Sequence, residues 1–193
     1  VRAFAVTALA ELIRCVARKS VYDESVKESE ATLQMLEFSL IKICEQINVE
    51  TSISVVGCLF QSAKLCLQFS ACDWSTVGPE DLKSVPDEND LPSNWDGLGP
   101  DQITALVEIS ITALNESFQR RAVRTAEAKC DSQDDEYDEE CQANDELAGQ
   151  EEEELQFYVA EFIGMICKLQ GGVFLSLQNV KDHLLPKLFM LSN

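Results

Sequence analysis

Apolar residues recur at helical spacing along most of the chain. Over residues 28–47, and again over 52–70, they stand three and four positions apart, which places them on one face of an α-helix. Only a few polar residues separate these two stretches. The pattern therefore predicts two antiparallel helices joined by a short turn.

The same spacing predicts four further helices. We expect one over residues 2–18, one that opens at Pro100, one that opens at about Glu151 and a last one over 173–191. The helix that opens at Pro100 loses its apolar stripe beyond Phe118. Its second half should therefore project into solvent, because it has no apolar face to bury.

Local signals predict how the last two helices begin and end. Glu151–Glu154 should form a first helical turn, where the helix dipole favours acidic side chains. Gly171 and Gly172 should end that helix. Pro186 lies inside the final apolar stripe and has no backbone N–H, so we expect it to kink the last helix.

Two stretches interrupt the helical pattern. Residues 71–99 hold three of the five prolines, and we expect a long loop there, of a length that is uncommon inside a compact domain. Residues 127–154 contain 14 acidic residues and one basic residue. Such a stretch repels itself and lacks the apolar content to fold alone, so we expect an acidic insertion that is partly disordered.

Helices with one apolar face, joined in pairs, predict an all-α fold. We expect residues 1–193 to form a single run of HEAT-like helical hairpins, with partial first and last repeats. In such an α-α superhelix, or solenoid, each hairpin covers the apolar face of its neighbour. A compact helical bundle is the alternative. The chain starts at Val1, which we interpret as a fragment whose end helices expose apolar faces and self-associate.

Composition and charge narrow the classes of function. The chain has 34 acidic and 15 basic residues and a net charge of −19, which argues against nucleic acid as a partner, because phosphates require basic patches. The chain contains one histidine, His183. Cys167 and His183 lack an orienting acid or a glycine-rich elbow. We therefore expect a binding module that is not an enzyme and has no cofactor.

The sequence gives no strong signal for a metal site, a disulfide framework or a membrane span. Residues 131–140 lack the central glycine of an EF-hand loop, so we predict no metal site. The eight cysteines include no C-x-x-C pair, and we interpret them as reduced core residues of a cytosolic or nuclear protein. No apolar run reaches the roughly 18–20 residues of a membrane span, so no membrane partner is expected.

Several segments, taken in order, resemble one known family. They are Val-Arg-x-x-Ala-x-x-Ala-Leu from Val1, Ser-Ala-Lys-Leu-Cys-Leu from Ser62, Phe-Gln-Arg-Arg from Phe118, Asp-Glu-Tyr-Asp-Glu-Glu from Asp135 and Leu-Leu-Pro-Lys-Leu from Leu184. With these segments the chain resembles the importin-β (karyopherin-β) nuclear transport receptors. The likeness is greatest to the C-terminal half of the importin-5 (importin β-3) type.

This resemblance implies a right-handed HEAT-repeat solenoid that carries cargo through nuclear pores and releases it when Ran-GTP binds. The implied partners are cargo proteins with basic nuclear localisation signals, Ran-GTP and nucleoporins. The implied localisation is shuttling between cytoplasm and nucleus. A HEAT-type scaffold or regulatory subunit and an acidic histone-binding chaperone are the alternatives that the residues leave open.

Candidate partner-binding residues lie in the acidic insertion and just before it. They are Arg120, Arg121, Arg124, Asp134, Asp135, Glu136, Asp138, Glu139 and Glu140. The acidic residues either form a solvated loop or compete for basic partners. The arginines either pair with the insertion within the chain or meet an acidic face of Ran. Each exposed pair would contribute only about 0.2–1 kcal/mol.

Overall fold

The computed structural model describes residues 26–72, 89, 91–92, 95, 97–131 and 139–191. The elements in these ranges are helical, which confirms the all-α prediction. They are α1 (Val26–Ile47), α2 (Ile53–Ala71), α3 (Pro100–Asp131), α4 (Glu139–Ser176), a π-helical turn (Val180–Leu184) and α5 (Leu185–Leu191). The helix predicted over residues 2–18 lies outside the described residues.

A short turn joins α1 to α2, as predicted. The Oε1 atom of Glu50 accepts hydrogen bonds from the backbone N–H groups of Thr51 (2.9 Å) and Ser52 (3.0 Å). Ser52 occupies the N-cap position of α2, but its side chain makes no capping bond. The Glu50 carboxylate therefore stabilises the turn by taking up donors that the helix start leaves free.

The contacts between helices fix their directions. Between α3 and α4, Arg120 pairs with Glu152 and Ser117 with Gln156, so residue numbers rise in one helix as they fall in the other. These helices are antiparallel. Between α2 and α4, the Phe60 and Phe162 rings pack edge to face with centroids 5.5 Å apart.

Further contacts show that α2 and α4 run parallel. Gly57 of α2 lies against Tyr158, and Lys64 Nζ lies 3.2 Å from Glu161 Oε1. Residue numbers therefore rise together in the two helices. The second helix of one hairpin thus packs on the second helix of the next.

This packing distinguishes stacked hairpins from a closed bundle. In an up-and-down four-helix bundle with short loops, α2 would lie between α1 and α3. Within the described ranges, α2 instead packs chiefly on α1 and α4, while the pair α2–α3 makes at most marginal contact. The two hairpins are stacked in the HEAT-like manner that the helix pattern predicts.

The core lies between the hairpins, and α2 is its most buried helix. Two described stretches, Ile53–Ala71 and Asn144–Ser176, are long and apolar enough to cross a membrane by length and composition alone. The sequence prediction concerned uninterrupted apolar runs, whereas these two stretches pass on mean hydropathy and contain polar residues. In Ile53–Ala71 more than half of the apolar window is buried inside the protein, as in a core helix.

The start of α4 differs from prediction, whereas the predicted break near its end is present. The helix begins at Glu139, so Glu151–Glu154 lie in its interior and not in its first turn. Residues 139–150 include three glutamates, two glutamines and two alanines, which favour helix. The break predicted at Gly171 and Gly172 occurs one residue earlier, at Gln170, where two helical segments meet.

Gln170 marks the break between the two helical segments of α4. Gln170 has non-helical backbone angles (φ −139°, ψ 38°). The carbonyl of Leu169 accepts a hydrogen bond from the backbone N–H of Trp95 (3.1 Å), and the Gln170 side-chain amide donates to the carbonyl of Trp95. The Trp95 backbone thereby satisfies groups at the break, and a second helical segment continues to Ser176.

The predicted kink near Pro186 takes the form of a π-helical turn. Leu185 N–H donates to the carbonyl of Val180, five residues earlier. Pro186 has no N–H to donate four residues back, which favours a wider turn at this point. Val180 and Leu184 are buried, and the turn packs against α3 and α4.

The two predicted interruptions fall largely or partly outside the described residues. Within 71–99, Leu91 and Leu98 are buried and Trp95 is half-buried. Within 127–154, residues 127–131 end α3 and residues 139–154 belong to α4. The partial disorder of this insertion and its boundaries stay predictions.

Candidate functional site

A charged cluster joins α3 to α4 just beyond the hydrophobic core. Glu152 is fully buried. Arg120 binds it with two hydrogen bonds, from Nε to Oε1 (2.6 Å) and from Nη2 to Oε2 (3.2 Å). Arg124 Nη2 lies 3.2 Å from Glu152 Oε1, at an angle that does not make a hydrogen bond. One carboxylate is thus shared by two guanidinium groups.

The arginines keep the Glu152 carboxylate ionised. Burial raises the pKa of this carboxyl, since it disfavours the charged form. Hydrogen bonds from Arg120 and Ser117, together with the positive charges of Arg120 and Arg124, lower it by more. The pKa of Glu152 therefore lies below its ordinary value, and the carboxylate is charged at neutral pH.

A polar chain continues from this cluster into the core. Arg121 Nη1 donates to Gln156 Oε1 (3.0 Å), and Gln156 Nε2 donates to Ser117 Oγ (2.8 Å). Gln156 and Ser117 are buried, so these bonds satisfy polar groups that water does not reach. Arg121 Nη2 also lies 3.7 Å from Glu153 Oε1.

The structure describes five of the nine predicted site residues. It pairs all three arginines with side chains of α4, which corresponds to the intramolecular alternative. Asp134, Asp135, Glu136 and Asp138 lie outside the described residues, and Glu139 and Glu140 open α4.

The sequence analysis missed three members of the cluster. Ser117, Glu152 and Gln156 form its buried part, and none of them was predicted as a site residue. A usable signal existed, because Glu152 and Gln156 share the helical face of the buried Leu155 and Val159. Polar residues at core positions require partners there.

Arg120 also lines two surface depressions. A cleft of about 330 Å³ lies between the α1–α2 turn and α3, and its wall includes Val49, Ile109 and Ala113. A shallow depression of about 380 Å³ on α3 includes Val123 and Arg124. Among the described residues, no cysteine, histidine or lysine lines either depression.

Two of the described thiols, those of Cys44 and Cys66, have raised pKa values. Burial raises the pKa of Cys44 to about 11 and, with a smaller contribution from Cys44, that of Cys66 to about 12. Both are therefore protonated at neutral pH, as the interpretation of reduced core cysteines expects. Where the structure describes the chain, no group of three or more His, Cys, Asp or Glu side chains could hold a metal ion.

Comparison with known proteins shows that the hairpin of α3 and α4 is similar to a known repeat. Residues 94–189 match the family model described as Importin repeat 6. The matched repeat is one of the importin-β family. The match covers α3, α4, the π-helical turn and most of α5, just under half of the chain. No curated protein and no solved structure gives a significant match.

Similarity to a repeat of the importin-β family suggests a role for this chain. The repeats of that family are non-enzymatic scaffolds. The similarity suggests a nuclear transport receptor-like role with protein partners. The HEAT-like stacking of the described hairpins fits these repeats.

Proposed function

We propose that the chain is a segment of a nuclear import receptor of the importin-5 type. In this role it carries cargo with basic nuclear localisation signals past nucleoporins and releases it under Ran-GTP control. The observation that carries the proposal is the Importin repeat 6 match, which falls on the hairpin of α3 and α4.

The charge of the chain supports basic cargo. A net charge of −19, concentrated in residues 127–154, attracts Lys/Arg-rich segments and repels nucleic acid. Exposed charges are screened beyond about 8–10 Å at physiological salt. The acidic insertion should therefore speed encounter with basic partners more than it tightens the bound complex.

Within this proposal, the basic and acidic candidate residues have different roles. Arg120 and Arg124 share the buried carboxylate of Glu152, so we assign them the task of holding α3 against α4. Arg121 assists through Gln156. The acidic residues from Asp134 to Glu140 remain the candidates for contact with basic partners.

The nucleotide state of Ran tests the proposal directly. The chain is immobilised and exposed to Ran loaded with a non-hydrolysable GTP analogue or with GDP, in the presence and absence of a fluorescent basic signal peptide. We expect binding of the GTP form alone, and release of the peptide when it binds. Equal binding of both forms, or none by either, contradicts Ran control.

The acidic histone-binding chaperone is the second candidate, favoured by the local excess of carboxylates in 127–154. It predicts binding of core histones that weakens steeply with salt and does not respond to Ran. A HEAT-type scaffold or regulatory subunit predicts neither response. The same immobilised chain, exposed to histones at low and high salt, separates the three functions.

A further inference from the structure

Phe157 and Tyr158 form an aromatic pair on α4, with Phe157 exposed to solvent and Tyr158 packed on α2. Phe157 is 57% exposed, and its ring packs edge to face with that of Tyr158, with centroids 5.7 Å apart. Tyr158 is half-buried on Gly57, where an added Cβ would lie 3.1 Å from Tyr158 Cδ2. The absence of a side chain at Gly57 therefore lets Tyr158 sit on α2 and support the exposed ring of Phe157.

Carboxylates surround this pair. Glu153 and Glu154 precede Phe157 by one helical turn and Glu161 follows it by one turn, so they share its side of α4. Burial, followed by the charges of Glu154, Cys58 and Glu161, raises the pKa of Tyr158. Glu154 and Glu161 therefore place negative charge near Tyr158.

Two of these carboxylates already have cationic partners within the chain. Glu161 lies 3.2 Å from Lys64 Nζ, and Glu153 lies 3.7 Å from Arg121 Nη2. Glu154 is exposed and has no cation within ion-pair distance among the residues that the structure describes. It is the carboxylate beside Phe157 that an external cation can reach.

A second exposed phenylalanine, Phe38, has a cation near its ring and serves as a comparison for Phe157. Phe38 on α1 is 60% exposed, and Nζ of Lys42, four residues later, lies 5.6 Å from its ring centroid. At the same offset from Phe157 the chain has Glu161. Its own helix thus supplies a carboxylate where α1 supplies a cation, and the described chain places no lysine or arginine over the Phe157 ring.

We propose that Phe157, Tyr158 and Glu154 form a docking surface for a Lys or Arg side chain of an extended basic peptide. The cation lies over the Phe157 ring, as cations do on aromatic faces, and donates to the Glu154 carboxylate. This inference rests on the proposed function, in which cargo signals are basic, and adds the residues that bind them.

Fluorescence anisotropy with a labelled Arg-Gly repeat peptide tests the surface. An otherwise identical peptide with citrulline in place of arginine keeps the shape and removes the charge. We expect Phe157→Leu and Glu154→Gln each to weaken binding of the arginine peptide about 2–5-fold, and the double variant about 10-fold. The citrulline peptide should bind neither the native chain nor the variants.

Phe38→Leu is the matched control, since it removes an equally exposed ring that Lys42 already covers. It should leave the affinity for the arginine peptide unchanged. All altered side chains are exposed, so circular dichroism should show native helix content in every variant. Equal binding of the two peptides, or an equal loss in Phe38→Leu and Phe157→Leu, overturns the proposal.

The Ran and peptide experiments together distinguish failure of this surface from failure of the proposed function. If the chain binds Ran in its GTP form and releases basic peptide, but Phe157→Leu and Glu154→Gln bind as the native chain does, the receptor function stands and this surface is wrong. If neither Ran nor the arginine peptide binds, the receptor function itself is contradicted. Peptide binding that depends on Phe157 without any response to Ran supports the surface alone.

Discussion

The four consecutive glutamates of α4, Glu151–Glu154, differ in burial and therefore in role. Glu152 is fully buried between two arginines, while Glu153 and Glu154 are exposed. The four side chains are chemically identical, and the helix turns one of them toward α3. A buried carboxylate is stable only with charged partners, so Glu152, Arg120 and Arg124 form one unit.

Glu152→Gln should therefore destabilise the chain. The substitution keeps the volume but removes the charge that two guanidinium groups share. Because the arginines remain partly exposed, we expect a loss of about 1–3 kcal/mol of unfolding free energy in urea titrations at pH 7. Glu153→Gln, at an exposed position, is the control and should change stability by less than about 0.5 kcal/mol. Similar losses in both variants would contradict the role of Glu152.

The stability difference between the native chain and Glu152→Gln should depend on pH. The folded-state pKa of Glu152 is lowered from the ordinary 4.5, so its ionisation adds stability above that value. This contribution is lost as pH falls through the lowered folded pKa. The difference in unfolding free energy between the native chain and Glu152→Gln should thus be largest near pH 7 and shrink in acid. A difference that grows in acid would show the opposite sign of shift.

The buried thiols allow a further test at the residue scale. With pKa values of about 11 for Cys44 and about 12 for Cys66, almost no thiolate forms at pH 8. Iodoacetamide followed by peptide mass spectrometry should find both unmodified in the folded chain and modified in urea. The half-buried Cys167 serves as the comparison, and we expect it to react faster. Rapid modification of Cys66 without denaturant would mean that the α1–α2 core opens.

At the scale of elements, the parallel packing of α2 on α4 joins the two hairpins. Gly57 lies at the centre of this contact, against Tyr158 and close to the backbone of Leu155. The Phe60–Phe162 ring pair lies one turn further along. A larger side chain at Gly57 would have to displace part of α4, because interiors are close-packed.

Gly57→Leu should weaken the junction of the hairpins. We expect a loss of about 1–3 kcal/mol, as for other overpacked cores, measured by urea unfolding. Hydrogen exchange should show faster amide exchange at the facing turns of α2 and α4. Gly164→Ala on α4 is the control: no atom lies within 4 Å of its added Cβ, and alanine favours helix by about 1 kcal/mol. Destabilisation by both substitutions would show a helix effect and not packing.

Most of the helical elements could be predicted from the sequence, because apolar side chains at steps of three and four define α1, α2 and the start of α3. The start of α4 could not, because the signal at Glu151 favours a boundary that the structure does not have: Arg120 binds Glu152 inside the helix. The break near Gly171 was predictable from the glycine pair, and the Trp95 backbone satisfies groups there.

The candidate site was only half predictable for a related reason. The three arginines are visible as a basic helix end, whereas Glu152, Gln156 and Ser117 are ordinary polar residues in the sequence. Their importance comes from burial between α3 and α4, which helical spacing alone does not report. The exposed Phe157 is hidden likewise among the apolar residues of α4.

At the scale of the whole molecule, negative charge is concentrated in one stretch of the sequence. Residues 127–154 carry 14 of the 34 acidic residues, and the described part of this stretch ends α3 and begins α4. A concentrated field of this kind attracts basic partners from a distance. In our proposal, Phe157, Tyr158 and Glu154 then bind the partner at short range.

Replacing Asp134, Asp135 and Glu136 by their amides should therefore slow association with a Lys/Arg-rich peptide. Electrostatic steering acts mainly on the association rate, so we expect a reduction of about 2–10-fold in low salt with little change in dissociation rate. Surface plasmon resonance at 50 and 500 mM salt measures both rates, and the difference should vanish in high salt.

The control for this variant removes the same charge elsewhere. Changing Glu37, Asp101 and Glu108 to amides also takes three negative charges from the net −19, but on α1 and α3, away from the insertion. If position matters, this second variant should keep nearly the native association rate. Equal slowing in both variants would mean that net charge alone attracts the peptide, and the acidic insertion would then have no special place in partner capture.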